Sequence, residues 1–117
     1  LNDGRVMVYG SMGGDGQPQT QAAIFTRYIL QGIPLQDCLA QPRWLLGRTW
    51  GQTSDSLKLE GRFSPQCIAR LRAQGHEVEI LADYSEAMGH AGAIVRQPNG
   101  LFEGAFDPRS NGAAAGY

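Results

Sequence analysis

The stretch from residue 10 to residue 16 holds four glycines, and its residue types are the ones in this sequence best suited to chemistry. An apolar run, 6–9, precedes it and a helix-forming run, 20–30, follows it, which predicts the order strand, glycine loop, helix. Glycine costs backbone entropy, so a cluster indicates positive φ angles or a ligand that contacts bare backbone. At the start of a helix, free N–H groups and the helix dipole favour negative charge. Such a loop suits a phosphate, a carboxylate or the oxyanion formed during acyl transfer.

Two nucleotide-binding motifs do not match this loop. No Gly-Lys-Ser/Thr follows the glycines, as a Walker-type phosphate loop requires. The dinucleotide motif Gly-x-Gly-x-x-Gly also fails, because Gln19 stands where its third glycine would be. The residues alone leave two interpretations open, a tight turn without a ligand and an anion or oxyanion site.

Other residues with catalytic side chains give weaker signals. Ser85, His90 and Asp107 have the residue types of a catalytic triad, but three such common residues in a chain of 117 carry little information. We therefore expect no triad. Arg109 is expected to pair with a carboxylate or to cap the chain end.

No metal site and no cofactor are predicted. The acidic residues between Glu77 and Glu86 begin on an alternating strand pattern, where solvated carboxylates are the ordinary outcome. Cys38 and Cys67 have no Cys or His at metal-ligand spacing. Because each lies in a helical, apolar pattern, we expect two buried thiols.

Length and composition limit the kinds of protein that this chain can form. Its 117 residues are enough for one domain with one core. The net charge is −1 and Lys58 is the only lysine, which argues against the basic face that nucleic-acid binding needs. No run of about eighteen apolar residues is present, so no membrane span is expected. The residues leave the compartment open between bacterial periplasm and cytoplasm.

The overall pattern predicts helices packed on a partly antiparallel sheet, which is the α+β class. The opening residues, 1–4, are typical of a hairpin turn whose first strand is missing, so we expect a fragment of a longer protein. The first strand is apolar on both sides and is expected to be buried on both faces. A polar loop is expected at 47–56, with Trp50 either covering the core or lining a pocket. Strands are predicted at 5–9, 43–46, 57–60, 77–81, 90–96 and 101–106, and helices at 20–30, 35–40 and 65–74, the last capped by Ser64 and ended by Gly75. A hairpin turn is predicted at 98–100.

An ordered set of short motifs resembles the γ-glutamyltranspeptidase family. Residues 10–14, Gly-Ser-Met-Gly-Gly, resemble that family's Gly-Ser-Pro-Gly-Gly, and 40–44 resemble its Ala-Pro-Arg-aromatic segment. Residues 71–78 are similar to its Leu-x-x-x-Gly-His-x-Val segment. The family's Gly-Ala-x-Asp-Pro-Arg and Ala-Gly-Tyr motifs resemble 104–109 and 114–117. Each motif alone is weak, but together they span nearly the whole chain in the right order.

The resemblance implies the N-terminal nucleophile hydrolase fold, an α/β/β/α sandwich. In that family a precursor cleaves itself into two subunits, and the new N-terminal threonine of the small subunit attacks a γ-glutamyl amide with its own α-amino group as base. The chain, 1–117, corresponds to the C-terminal part of the small subunit. Its expected partners are the large subunit, the upstream part of the small subunit and a γ-glutamyl compound or related amide. Because the nucleophile lies upstream, the fragment alone is expected to be inactive.

The same resemblance implies that Gly13 and Gly14 supply the oxyanion hole and contact the substrate, with Met12 as a further candidate contact. Met12 replaces the family's usual proline, and 15–19, Asp-Gly-Gln-Pro-Gln, looks more like the γ-glutamyltransferase-like and cephalosporin-acylase-like branches. Glutathione is therefore left open as the substrate. Asp15 is expected to cap the following helix.

Two further expectations concern the chain as a separate unit. Without the upstream strands, apolar surface should be exposed near Val6, Val8 and the helix at 24–25, which favours a homodimer. The alternative function from the residues is a non-catalytic anion-binding or assembly module built on the same glycine loop.

Overall fold

A computed structural model describes residues 1–48 and 53–116. The expectations for Trp50 and for the terminal Tyr117 lie outside the described residues. The strands are β1 (Val6–Met12), β2 (Trp44–Leu46), β3 (Leu57–Glu60), β4 (Val78–Leu81), β5 (His90–Arg96) and β6 (Phe102–Phe106). The α-helices are α1 (Gln17–Phe25), α2 (Leu35–Ala40) and α3 (Pro65–Ala73), with a π-helical turn at Thr26–Leu30 and 3-10 turns at Gly14–Gly16 and Glu86–Met88.

The strands form two three-stranded sheets instead of the one expected from the sequence. The first sheet has the order β1-β5-β6 and is antiparallel throughout. In the second sheet, β2-β3-β4, the β3–β4 pair is parallel, and α3 is the connection between its two strands. A helical crossover of this kind is what parallel neighbours require. The predicted turn before Gly100 joins β5 to β6, where the Gly100 N–H donates to Gln97 O at 2.9 Å.

The first helix is longer than predicted and packs against the first sheet to form the core. It begins at Gln17, with Pro18 in the first turn, and its last turn widens into a π-helix before Gly32 ends it at φ +67°. One face packs against the first sheet and α2. The buried cluster consists of Ile24, Tyr28, Leu35, Cys38, Leu39, Ala91, Ala93, Val95 and Ala105.

The third helix has the predicted ends but not the predicted burial. The Cys67 N–H donates to Ser64 Oγ at 3.2 Å, and Gly75 follows the helix with φ +92°. No residue of α3 is buried, so the expectation of a buried thiol is wrong for Cys67 and right for Cys38. In this chain α3 covers only one edge strand, which leaves its apolar positions half-exposed.

The first strand was expected to be buried on both faces, and the structure corrects this. Met7 and Tyr9 pack against the core, whereas Val6 and Val8 point outward, and Val8 is 71% exposed. Ile94 and Phe102 lie on the same outward side. We call Val6, Val8, Ile94 and Phe102 the outer face of the first sheet. The expected exposure at residues 24–25 is wrong for Ile24, which is completely buried.

Within the described residues, no helix is long and apolar enough to cross a membrane.

Candidate functional site

The glycine loop connects β1 directly to α1. Gly13 has φ +146° and Gly14 has φ +57°, backbone angles that residues other than glycine rarely adopt. The Gly16 N–H donates to Gly13 O at 3.2 Å, which closes the turn. Among residues 1–48 and 53–116, no group accepts a hydrogen bond from the N–H of Gly13 or of Gly14. Two backbone donors at this strand-to-helix junction are therefore available to an acceptor from outside the described chain.

Packing accounts for one of the other two glycines of the loop without a ligand. A Cβ on Gly16 would lie 2.4 Å from Leu45 Cδ1, so glycine at this position lets the Leu45 side chain of β2 pack directly on the loop. Gly10 has nothing within 4 Å of its Cβ position and no positive φ. The tight-turn interpretation thus accounts for Gly16, whereas the unpaired donors at Gly13 and Gly14 are what an anion site needs.

The neighbours of the loop differ from expectation in one respect. The side chain of Met12 is 61% exposed at the end of β1, as a residue that contacts a substrate must be. Asp15 is exposed too, but no side chain caps α1, whose N-cap position is Gly16. The prediction that Asp15 caps this helix is therefore wrong, because the 3-10 turn inserts Gly16 between Asp15 and the helix.

Gln19 attaches the second sheet to the start of α1. Its Nε2 donates to Leu46 O at 2.9 Å, and its Oε1 accepts from Leu46 N–H at 2.8 Å. One side chain thus pairs with the end of β2 much as a neighbouring strand would. The end of the second sheet is held beside the glycine loop by this pair.

Four charged side chains that are almost completely buried form a second feature, which we call the charge cluster: Arg43, Glu60, Asp107 and Arg109. The Arg109 guanidinium donates two hydrogen bonds to the Glu60 carboxylate, from Nε at 2.6 Å and from Nη2 at 2.5 Å. It also reaches Asp107 at 3.0 Å, and Arg43 binds Asp107 at 2.6 Å. The predicted pairing of Arg109 with a carboxylate is confirmed.

The charge cluster also binds backbone carbonyls from several elements. Arg109 donates to Leu39 O at 2.9 Å and to Gln41 O at 3.0 Å, and Arg43 donates to Gly89 O at 3.1 Å. The cluster therefore ties the end of α2 and the segment after β6 to the turn that precedes β5. Sequence reasoning missed Gly89 and the role of Arg43, although Arg43 lies inside one of the family-like motifs.

Burial and pairing set the ionisation of these groups. Burial of Glu60 opposes its charge, but the hydrogen bonds and charge of Arg109, with the Arg43 N–H and the charge of Arg62, outweigh burial and hold the pKa of Glu60 below its usual value. Burial likewise opposes the charge of Arg109, yet Glu60 and Asp107 raise its pKa. Burial and then repulsion from Arg109 lower the pKa of Arg43. An arginine remains protonated under such conditions.

The whole chain, residues 1–117, matches the sequence model of the family described as Gamma-glutamyltranspeptidase. The chain belongs to the γ-glutamyltranspeptidase family. It is 85% identical over 117 residues to the oxamate amidohydrolase proenzyme of Klebsiella pneumoniae subsp. pneumoniae, covering 100% of the chain and 22% of that protein. It is also 46% identical over 110 residues to the glutathione hydrolase-like YwrD proenzyme of Bacillus subtilis, covering 94% of the chain and 21% of that protein.

The fold agrees with this membership. The cephalosporin acylase of Bacillus halodurans superposes with a TM-score of 0.81 at 28% identity, over 93% of the chain and 19% of that enzyme. The α+β fold expected as part of an N-terminal nucleophile hydrolase sandwich is confirmed. The chain spans about a fifth of the length of the curated relatives that it matches, consistent with a C-terminal piece of a proenzyme.

Ser85, His90 and Asp107, which all lie in the described part of the chain, do not form a triad. Ser85 Oγ accepts from the Ala87 N–H, and the Asp107 carboxylate accepts from the Ala91 N–H and from the two arginines of the charge cluster. His90 Nε2 is buried without a hydrogen-bond partner among the described residues. None of the hydrogen bonds that define a triad links these three side chains, so the weak triad signal in the sequence is not realised.

Proposed function

We propose that this chain is the C-terminal part of an amidohydrolase proenzyme, in which Gly13 and Gly14 stabilise the oxyanion. The observation that carries the proposal is the pair of backbone donors, at the junction of β1 and α1, that have no acceptor among the described residues. Donors that are fixed in place before the reaction stabilise developing charge without reorganising, and this is usually the largest electrostatic term in acyl transfer.

The reaction follows from the family's upstream threonine. Its Oγ bonds to the amide carbon, the carbonyl electrons move onto oxygen, and the N–H groups of Gly13 and Gly14 donate to that oxyanion. The threonine proton passes through the α-amino group to the leaving nitrogen as the C–N bond breaks. Water then attacks the acyl-enzyme ester, and the same donors stabilise the second oxyanion before the acid is released.

The substrate that we propose is the amide of a small carboxylate, with oxamate as the first compound to test. The relative named for oxamate is 85% identical over this chain, against 46% for the relative named glutathione hydrolase-like. The replacement of the family's usual proline by Met12, whose side chain is exposed beside the donors, is compatible with a pocket shaped for something other than a γ-glutamyl group. A γ-glutamyl amide is the alternative substrate.

The test is Gly14→Val in the full proenzyme, with ammonia release from oxamate and amine release from a γ-glutamyl anilide as parallel assays. Valine keeps its N–H but rarely adopts the φ of +57° found at Gly14, so the substitution turns this donor away from the oxyanion. Loss of one oxyanion donor lowers kcat by about 100- to 1000-fold in other hydrolases, and we expect a loss of that order. Gly32→Val is the matched control, because Gly32 also has a left-handed φ, +67°, and has nothing within 4 Å of its Cβ position. An unchanged kcat in Gly14→Val would remove the oxyanion assignment.

The outer face of the first sheet gives the proposed place of the partner segments. Val8 and Phe102 are each 71% exposed on the two strands that flank β5, and exposed apolar side chains grouped on one face of a sheet mark an interaction surface. In a sandwich this face packs against the second β layer, which we propose is formed by upstream strands and the large subunit. When the chain is made alone, a second copy is the expected substitute, and sedimentation should show a dimer that Val8→Lys converts to monomer.

A further inference from the structure

We propose that Gly89 is a positioning residue that sets the direction of the Gly13 N–H, an inference that rests on the proposed oxyanion function. Gly89 follows the 3-10 turn Glu86–Met88 and has φ +72°. It is buried, and its backbone packs against Met12 and Gly13 at the end of β1. Nothing in the sequence pattern around Gly89 distinguishes it from an ordinary turn residue.

The contact between Gly89 and β1 leaves no room for a side chain. A Cβ at Gly89 would lie 2.1 Å from Met12 O, 3.2 Å from Met12 C and 3.1 Å from Gly13 Cα. In the opposite direction, a Cβ at Gly13 would lie 3.0 Å from Gly89 Cα. The two glycines therefore pack with their backbones in direct contact, and all of the close atoms are backbone atoms that cannot turn away as a flexible side chain can.

The chemistry of the peptide bond converts this packing into an orientation. Met12 C=O and Gly13 N–H belong to one planar peptide unit, so the oxygen and the hydrogen move together when the unit rotates. Gly89 packs against the oxygen end of that unit. A group that displaces the oxygen must rotate the unit and change the direction of the Gly13 N–H at its other end.

Gly89 is itself held in place from two sides. Arg43 Nη1 donates to Gly89 O at 3.1 Å, and the Arg43 guanidinium is fixed by Asp107 at 2.6 Å. From α1, Thr20 Oγ1 donates to Met88 O at 3.3 Å. The charge cluster and α1 thus hold the carbonyls of Met88 and Gly89 by hydrogen bonds, and Gly89 in turn packs against the Met12–Gly13 peptide.

The first experiment compares Gly89→Ala with Gly32→Ala in the full proenzyme, with kcat and KM measured on the matured enzyme. Both substitutions place alanine at a left-handed φ, +72° and +67°, but only the one at Gly89 meets other atoms. We expect Gly89→Ala to lower kcat by about ten-fold or more, less than the loss of a donor outright, while KM changes by less than about two-fold. Gly32→Ala should change neither constant. A crystal structure of the Gly89→Ala enzyme should show the Met12–Gly13 peptide rotated.

A milder pair of variants decides the matter if Gly89→Ala does not fold. Thr20→Val removes the hydroxyl that holds Met88 O, and Thr20→Ser keeps it. We expect kcat to fall about two- to five-fold in Thr20→Val with KM unchanged, and to be restored in Thr20→Ser, since one neutral hydrogen bond contributes on the order of 1 kcal/mol. An equal loss in both variants, or a loss expressed in KM, overturns the inference.

The outcomes separate this inference from the function on which it rests. If Gly14→Val loses activity and folded Gly89→Ala keeps its kcat, the oxyanion function stands and the role of Gly89 is wrong. If Gly14→Val keeps its activity, the oxyanion function and the role of Gly89 fail together.

Discussion

The glycine loop and the charge cluster lie at the same end of the first sheet, but they are built from opposite kinds of groups. The loop presents bare backbone, with positive φ at Gly13 and Gly14 and two N–H groups without an acceptor in the described chain. The charge cluster consists of charged side chains that are almost completely buried. Nearly all of their polar groups are paired, as in the two hydrogen bonds from Arg109 to Glu60. The glycine loop thus keeps two donors unpaired within the described chain, whereas the charge cluster uses its hydrogen bonds to hold several elements of the fold together.

The two features differ in whether they can be recognised from the sequence or only from the folded structure. A site made of backbone N–H groups can be recognised from a short stretch of sequence, because only glycine tolerates the positive φ angles and several glycines then occur close together. A buried ion pair reveals itself only in three dimensions, since Glu60 and Arg109 are 49 positions apart. The sequence predicts a carboxylate partner for Arg109 but does not identify Glu60 as that partner, because charged residues are most often exposed.

The largest effect that we predict comes from breaking the charge cluster. Arg109→Met keeps an unbranched side chain but leaves Glu60 buried without its main partner. Removing one member of a buried pair costs about 3–5 kcal/mol, so we expect the matured enzyme to be poorly folded, as measured by soluble yield and thermal unfolding.

The matched control is an ion pair on the surface. Arg5 binds Asp3 at 2.6 Å, but both side chains reach solvent. Exposed pairs contribute about 0–1 kcal/mol, so Arg5→Met should change the unfolding temperature little. If the two substitutions had similar effects, burial would not be what distinguishes the cluster from a surface pair.

Acid should weaken the cluster in a defined range of pH. The folded pKa of Glu60 is lower than its ordinary value of 4.5, so its ion pairs stabilise the fold fully above pH 4.5. That stabilisation is lost as pH falls below 4.5 toward the folded pKa, because the unfolded state then binds more protons than the folded one. Unfolding midpoints measured from pH 7 to pH 3 should decline below 4.5. A midpoint that stays constant across that range contradicts the assignment.

How much could be predicted from the sequence depends on the range of the interaction. Ser64, Gly75 and the turn before Gly100 act on neighbours a few residues away, and all three were placed correctly. The strand β3 was placed correctly as well, but nothing in its sequence shows that Lys58 and Glu60 are completely buried. Their partners, from Gly47 O to Arg109, come from other parts of the chain.

The candidate site divides along the same line. Gly13 and Gly14 were predicted from the glycine cluster and from a family resemblance, and their role as oxyanion donors is still a prediction. Gly89 lies 76 positions after Gly13 in the chain, and its contact with that residue depends on the β1–β5 register, which pairs Met12 with His90. No local pattern encodes that register.

A local cap gives an effect of intermediate size. Ser64→Ala removes the acceptor of the Cys67 N–H and should destabilise the fold by about 1 kcal/mol. Ser64→Asp keeps an acceptor at the same position and should retain most of the stability. Thermal unfolding of the two variants side by side is the measurement. Equal losses would mean that the cap contributes nothing beyond the space that its side chain fills.

The smallest effect that we predict concerns Asp15, the one charged side chain within the glycine loop. Its carboxylate is exposed, so water and salt screen its repulsion of a developing oxyanion. We expect Asp15→Asn to raise kcat by no more than about two-fold at low ionic strength and to have no effect near physiological salt, where the screening length is about 8 Å. Asp37→Asn makes the same change of charge on α2 and should leave kcat unaltered at both salt concentrations. A fall in kcat of ten-fold or more in Asp15→Asn would mean that this carboxylate faces the reacting amide, and the loop would then supply a charged side chain to the reaction as well as bare backbone.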